Sequence, residues 1–235
     1  MNSINHSSSP TLCRIRKAFT IAVGGLAAAL SLGGLGDSAS ALTLSPVVDQ
    51  SCIVPVQAAL AVTAGDNWGQ SFTVGLPGYL TEIDFQFGRQ AAVVQPLQVQ
   101  VRLANGDLPD LDPSGLLFSG SIAPANVPIL TFTGSFTTSI SLGSAPPLVT
   151  PGEKLVVLLS TTDPNWYNWD NSGYFNSNPY PNGTSIEQTP TIPNWTAVAN
   201  WDFGFQTWVA PVPEPSALLP VGLLILALRR RLMKG

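Results

Sequence analysis

Leu130-Thr131-Phe132-Thr133-Gly134-Ser135-Phe136-Thr137-Thr138-Ser139-Ile140-Ser141-Leu142 alternates apolar and hydroxyl-bearing side chains. Leu130, Phe132, Phe136, Ile140 and Leu142 take one face, interrupted at Gly134 and Thr138. Thr131, Thr133, Ser135, Thr137, Ser139 and Ser141 take the other. Successive strand side chains point to opposite faces, so the period of two predicts a strand with one dry and one wet side. The same alternation sets Ile83, Phe85 and Phe87 against Glu82, Asp84 and Gln86. It also sets Leu97, Val99, Val101 and Leu103 against Gln98, Gln100 and Arg102. By contrast, Leu155-Val156-Val157-Leu158-Leu159 is apolar throughout, which predicts a strand covered on both faces. Further strands are expected at Ser71–Val74, Leu116–Ile122, Lys154–Ser160 and Asp202–Val209, with Pro151-Gly152 turning the chain before the central one. Eight or so strands separated by Gly/Pro turns predict an all-β domain, a two-sheet β-sandwich of jelly-roll type.

Composition agrees. Charged residues are only 10% of the 235, while Gly and Pro contribute 21 each, which favours many turns over long helices. Basic residues cluster at the ends, as Arg14, Arg16 and Lys17 and as Arg229, Arg230, Arg231 and Lys234. Between Leu42 and Pro213, three cations (Arg89, Arg102, Lys154) face twelve carboxylates, a formal charge of −9. Phosphate backbones repel such a domain, so nucleic acid is excluded as a partner. His6 is the only histidine, and Cys13 and Cys52 are the only cysteines. Once the N-terminal segment is removed, a Ser-His-Asp or Cys-His relay lacks its base and a His/Cys zinc site lacks its ligands. Cys52 reads either as an interchain thiol or as a buried one.

Residues 1–41 have the pattern of a secretory signal peptide. Arg14, Arg16 and Lys17 form the cationic start, and Ala18–Gly36 the apolar run. Ala39-Ser40-Ala41 supplies the small-x-small site for signal peptidase, leaving Leu42 as the new N-terminus. Residues 42–209 are then the extracellular β-sandwich domain.

The other end is ordered differently. An extended, Pro-rich linker, Ala210–Pro215, precedes an apolar run, Ala217–Leu228, and then Arg229-Arg230-Arg231. A helix over Ser216–Leu228 spans about 20 Å, short of the ~30 Å hydrocarbon core, so Arg snorkelling must help it reach across. The arginines keep the tail cytoplasmic and the domain outside. Pro213-Glu214-Pro215, the short apolar helix and the Arg cluster together resemble the PEP-CTERM sorting signal. The resemblance implies that Pro213, Glu214 and Pro215 are the recognition motif and Arg229, Arg230 and Arg231 the basic stop. It further implies recognition by an exosortase, a transient membrane anchor through the C-terminal helix, and release or re-attachment outside a Gram-negative cell that secretes exopolysaccharide.

A second resemblance covers Gln70 to Val209. Gln70-Ser71-Phe72-Thr73, Gly78-Tyr79-Leu80-Thr81-Glu82-Ile83, Thr150-Pro151-Gly152-Glu153-Lys154-Leu155 and Trp201–Val209 together resemble the choice-of-anchor jelly-roll domains of bacterial surface proteins. It implies a fold and a location and no activity.

Five of the six tryptophans fall late: Trp166, Trp169, Trp195, Trp201 and Trp208. Within Asp163–Tyr180, the residues Trp166, Tyr167, Trp169, Asp170 and Tyr174 can form a glycan-binding loop, because aromatic faces stack on sugars and carboxylates bond hydroxyls. The same rings can instead cover the open end of the sandwich, and burial is the preferred reading because aromatic rings stabilise mostly that way. Asp107, Asp110 and Asp112, with Asn105, offer hard oxygen ligands for Ca²⁺ on one loop, but their spacing does not match an EF-hand, and a solvated turn is preferred. Glu82, Asp84 and Glu153 are the carboxylates a glycoside hydrolase would use, though nothing in their spacing pairs them. The expectation is therefore a non-catalytic surface protein in or on an extracellular polysaccharide layer, touching glycan through the late aromatics. A purely structural matrix protein is the alternative, and a carboxylate-dependent glycosidase ranks third.

Overall fold

A computed structural model describes residues 45–54, 58–130, 134–172 and 178–212. Both expected sorting segments, including Ala39, Ala41, Pro213–Pro215 and Arg229–Arg231, lie outside them. The described chain is an all-β sandwich in which every strand-to-strand pairing is antiparallel. One sheet has the order β1 (Val47–Cys52), β15 (Phe205–Pro211), β4 (Gly78–Phe85). The far edge of β4 is shared by β9 (Thr138–Ser141) and β10 (Leu148–Val149). The second sheet runs β14 (Ile192–Val198), β13 (Ser185–Thr189), β3 (Asn67–Thr73), β11 (Lys154–Ser160), β6 (Leu97–Asn105). Beyond β6 come β7 (Leu108–Pro109) and β8 (Leu116–Ile122). A third, smaller sheet joins β2 (Ala59–Val62), β12 (Tyr167–Asp170) and β5 (Phe87–Arg89), so the two expected layers have a three-stranded extension.

The continuous apolar run is the centre of the second sheet. Leu155, Val157 and Leu159 belong to the main core between the layers. Val156 and Leu158 face the other way and join Ile186, with Trp195 and Ala104 packed on them. The seven-stranded sheet curls until β14 reaches β7, and this curl encloses the second cluster. That is why no position of Leu155–Leu159 is polar: both faces of β11 are dry.

The opening stretch behaves as a strand over only part of its length. Thr138–Ser141 pairs with β4, and there the alternation holds: Thr138 and Ile140 are buried, Ser139 and Ser141 exposed. Upstream, Gly134 takes a positive φ of 60°, and its amide donates to the Asp170 carboxylate at 3.0 Å instead of to a neighbouring strand. Leu130, expected on the dry face, is 46% exposed. A left-handed glycine breaks the extended run, which the apolar/hydroxyl alternation alone does not reveal.

The main core is strongly aromatic. The Trp169 ring stacks on Phe203 (centroids 4.1 Å, planes 16° apart) and meets Phe85 edge-on at 5.6 Å, while its indole donates to the Gly204 carbonyl at 3.0 Å. Phe87 stacks on Tyr167 at 5.7 Å. Cys52 lies wholly buried in this core, which settles its reading as a buried thiol.

Polar groups inside the sandwich bind backbone across the layers. Gln86, between β4 and β5, accepts from the Val54 amide at 2.8 Å and donates to the Val54 carbonyl at 3.2 Å, taking the place of a strand neighbour. Asp202, fully buried, accepts from Gln70 Nε2 at 3.1 Å and from the Tyr180 amide at 3.0 Å. Burial raises its pKa to about 7, and the Tyr180 and Gln70 bonds only partly offset this. The folded state therefore holds the Asp202 proton more tightly than the unfolded chain does. Its contribution to stability is full below pH ~4 and is lost as pH rises toward 7. We expect Asp202→Asn to flatten this dependence. In thermal melts between pH 5 and pH 8, the wild type should lose about 5 °C more than the variant.

Candidate functional site

The late aromatic segment separates into a buried part and an exposed one. Trp169, Tyr167 and Asp170 are all wholly buried in β12, which pairs with β2 along all four residues and with β5 through Tyr167, Asn168 and Trp169. These three cannot face a ligand, which corrects their expected place in a glycan loop. The physical reason is that β12 is the middle strand of its sheet, with Trp169 and Tyr167 filling the aromatic core beneath. Tyr174 lies outside the described residues. Trp166, one residue before the strand, is 41% exposed.

Trp166 borders an open cavity of about 210 Å³, lined also by Arg89, Gln90, Ile129, Leu130 and Asn168. Each wall is held by backbone. Asp163 anchors the loop that carries Trp166: its carboxylate accepts from the amides of Val94 (2.6 Å), Gln95 (2.7 Å) and Asn165 (2.9 Å), and from Asn165 Nδ2 (3.0 Å). Burial pushes this carboxyl upward, but the Gln95, Val94 and Asn165 bonds outweigh it and hold the pKa at about 2. Gln90 donates its amide to the Trp166 carbonyl at 3.1 Å. Arg89 sits in β5 opposite Tyr167, with Nε on the Pro124 (2.6 Å) and Val127 (3.0 Å) carbonyls and Nη1 on that of Gln90 (3.0 Å). On the remaining side, Leu130 crosses directly over Gly88 of β5, where a Cβ would collide with its carbonyl oxygen, so only glycine admits that approach.

Two polar groups at the cavity have no hydrogen-bond partner among the described residues. The side-chain amide of Asn168, 7% exposed, bonds to no described residue, and neither does the Trp166 indole N–H. Asn168 is mostly buried while its amide opens to the cavity, so the group is held at the wall and can bond a hydroxyl as donor or acceptor. With Ile129 59% exposed and Leu130 beside it, the wall combines apolar faces with fixed amides and one cation. That mixture suits the C–H faces and hydroxyls of a sugar. Apart from Trp166, its members escape the sequence reading, since they come from β5, β12 and the turn after Val127 and share no spacing.

The other expected sites are dispersed. Asp107 is in an ion pair with Lys154 at 2.7 Å and accepts from Ser71 Oγ at 3.0 Å. Asp110 Oδ1 accepts from the Asp112 amide at 3.0 Å, and Arg102 Nη1 reaches the carbonyls of both residues, at 2.9 and 3.4 Å. The expected Ca²⁺ loop is thus filled by protein cations, and among the described residues no three metal-ligating side chains converge. Asp84 accepts from Ser139 Oγ and Trp208 Nε1, both at 2.6 Å, tying β9 and β15 to β4. Its neighbour Glu82 has its pKa raised by burial and by the Asp84 charge. Glu153 caps its own turn by accepting from the Thr150 amide at 3.0 Å.

Among the described residues no helix is long and apolar enough to cross a membrane. Neither a family model nor a curated protein matches this chain.

The two tryptophans make opposite predictions. Trp169→Ala should cost about 3–5 kcal/mol in urea denaturation, the range for emptying a large buried ring. Trp166→Ala should change stability by no more than about 0.5 kcal/mol.

Proposed function

We propose that this chain is exported, sorted to the cell surface through its PEP-CTERM-like tail, and acts there as a non-catalytic protein that contacts extracellular polysaccharide through the Trp166 cavity. One observation carries the glycan reading. A half-exposed indole and the side-chain amide of the mostly buried residue Asn168, neither engaged among the described residues, open onto one apolar-walled recess. At about 210 Å³ the recess is below the ~300–1,000 Å³ of an enclosing small-molecule pocket. It suits a short portion of a long chain better than a whole small ligand.

The direction of the strands supports display at a surface. β15 ends at Pro211 opposite Gly78, at the start of β4, while β5 and Arg89 follow the other end of β4. The chain therefore leaves for its sorting tail at one end of the sandwich and carries the cavity toward the other.

On a glycan array, the processed protein should be retained by at least one polysaccharide. Trp166→Ala should lose at least about tenfold in affinity with its melting curve unchanged, as expected for deleting a stacking ring. Retention by no polysaccharide would leave the purely structural role. Mass spectrometry of the protein recovered from its host's surface should find a start at Leu42 and no Arg229–Gly235 tail; an intact tail there would contradict sorting.

A further inference from the structure

The three cations of the domain have different surroundings. Lys154 is neutralised by Asp107 at 2.7 Å. Arg102 bonds Gln100 Oε1 at 3.0 Å and the Asp110 carbonyl at 2.9 Å, within a loop that also contains the Asp110 and Asp112 carboxylates. Arg89 lines the Trp166 cavity, and among the described residues it has no carboxylate in ion-pair range. Its Nε and Nη1 are occupied by backbone carbonyls, while Nη2 donates to no described residue. The Asp163 carboxylate of the neighbouring loop is already bonded by four N–H groups.

We propose that the Trp166 cavity recognises an acidic sugar, a uronate-type residue of an anionic polysaccharide, with Arg89 as the group that receives its carboxylate. The proposal rests on the glycan reading above and narrows it to a class. A domain with twelve carboxylates and three cations has little general attraction for a polyanion. A positive charge held at the cavity, with no ion-pair partner among the described residues, is therefore a local, specific feature. Its guanidinium is oriented by carbonyls of the Pro124–Val127 turn and of Gln90, so binding orders no further rotamer there. With Nε and Nη1 taken, Nη2 is the donor left for a carboxylate oxygen, and a charge-assisted bond is about twice as strong as a neutral one. Trp166 and Ile129 supply the apolar face for the ring, and Asn168 is placed for a hydroxyl.

The test compares polygalacturonate with the same polymer after its carboxylates are reduced to primary alcohols, using the full processed protein. The unaltered protein should bind the acidic polymer at least about tenfold tighter than the reduced one. Arg89→Gln should bring that ratio close to one while keeping the affinity for the reduced polymer. Trp166→Ala should weaken both. Equal affinity of the unaltered protein for the two polymers would overturn the acidic-sugar assignment and leave glycan binding standing. Binding to neither, here and across the array, would remove the glycan reading itself. Because the decisive comparison changes the ligand and not the protein, it holds even if Arg89→Gln loosens the fold.

Discussion

Trp169 is the group around which both layers are arranged. Its ring lies flat on Phe203 and edge-on to Phe85, and its indole N–H bonds the Gly204 carbonyl. Phe203 and Gly204 immediately precede β15 and Phe85 ends β4, two strands of a different sheet from that of Trp169 itself. The stack thus sets how the three-stranded sheet meets the five-stranded one. A buried indole needs its donor satisfied as well as its face covered, and here the adjacent residues Phe203 and Gly204 do both, one by its ring and the other by its carbonyl. Gly204 permits this because a side chain there would run into Gln86, whose amide is already bonded to Val54.

The exposed rim depends on the same buried ring. β12 places Trp166 just outside the point where Tyr167 and Trp169 enter the core, so the depth of Trp169 sets the height of Trp166 above the surface. Arg89 is registered opposite Tyr167 and Phe87 opposite Trp169, which positions the cation by the same ladder. A rigid core beneath a loop is the usual way a fold presents polar groups without losing affinity to disorder. Asp163 completes the arrangement from the loop side by closing Val94, Gln95 and Asn165 onto one carboxylate.

Much of the fold was legible in the residues. Leu116–Ile122 and Lys154–Ser160 are strands over the expected spans, and the continuous apolar run proved to be dry on both faces because it separates two clusters. Alternation identifies a strand when its wet face meets water, and it misled at Leu130 because Thr and Ser also occur in turns held by side-chain and backbone bonds. Gly134 was the warning within that stretch. The aromatic segment showed the opposite limit. Composition marks Asp163–Tyr180 as special, but which rings face inward is set by pairing with β2 and β5, far away in sequence. The cavity was illegible for that reason: Arg89, Leu130 and Asn168 meet only after folding.

The carboxylates show how an acidic domain can be built without a matching set of cations. Asp163 is satisfied by amides, Asp84 by a hydroxyl and an indole, Asp202 by an amide and a glutamine, and Asp107 alone by an ammonium. Backbone and neutral side chains thus satisfy these carboxyls locally, fully at Asp163 and only in part at Asp202, each one drawing together segments distant in sequence. Cations are then not needed as general counter-charges inside the fold. Arg89 is no exception to that economy, since carbonyls hold it in place and, among the described residues, no carboxylate is in ion-pair range of it. In a chain that satisfies its acids without arginine, an arginine fixed at an open cavity is best explained by something outside the chain.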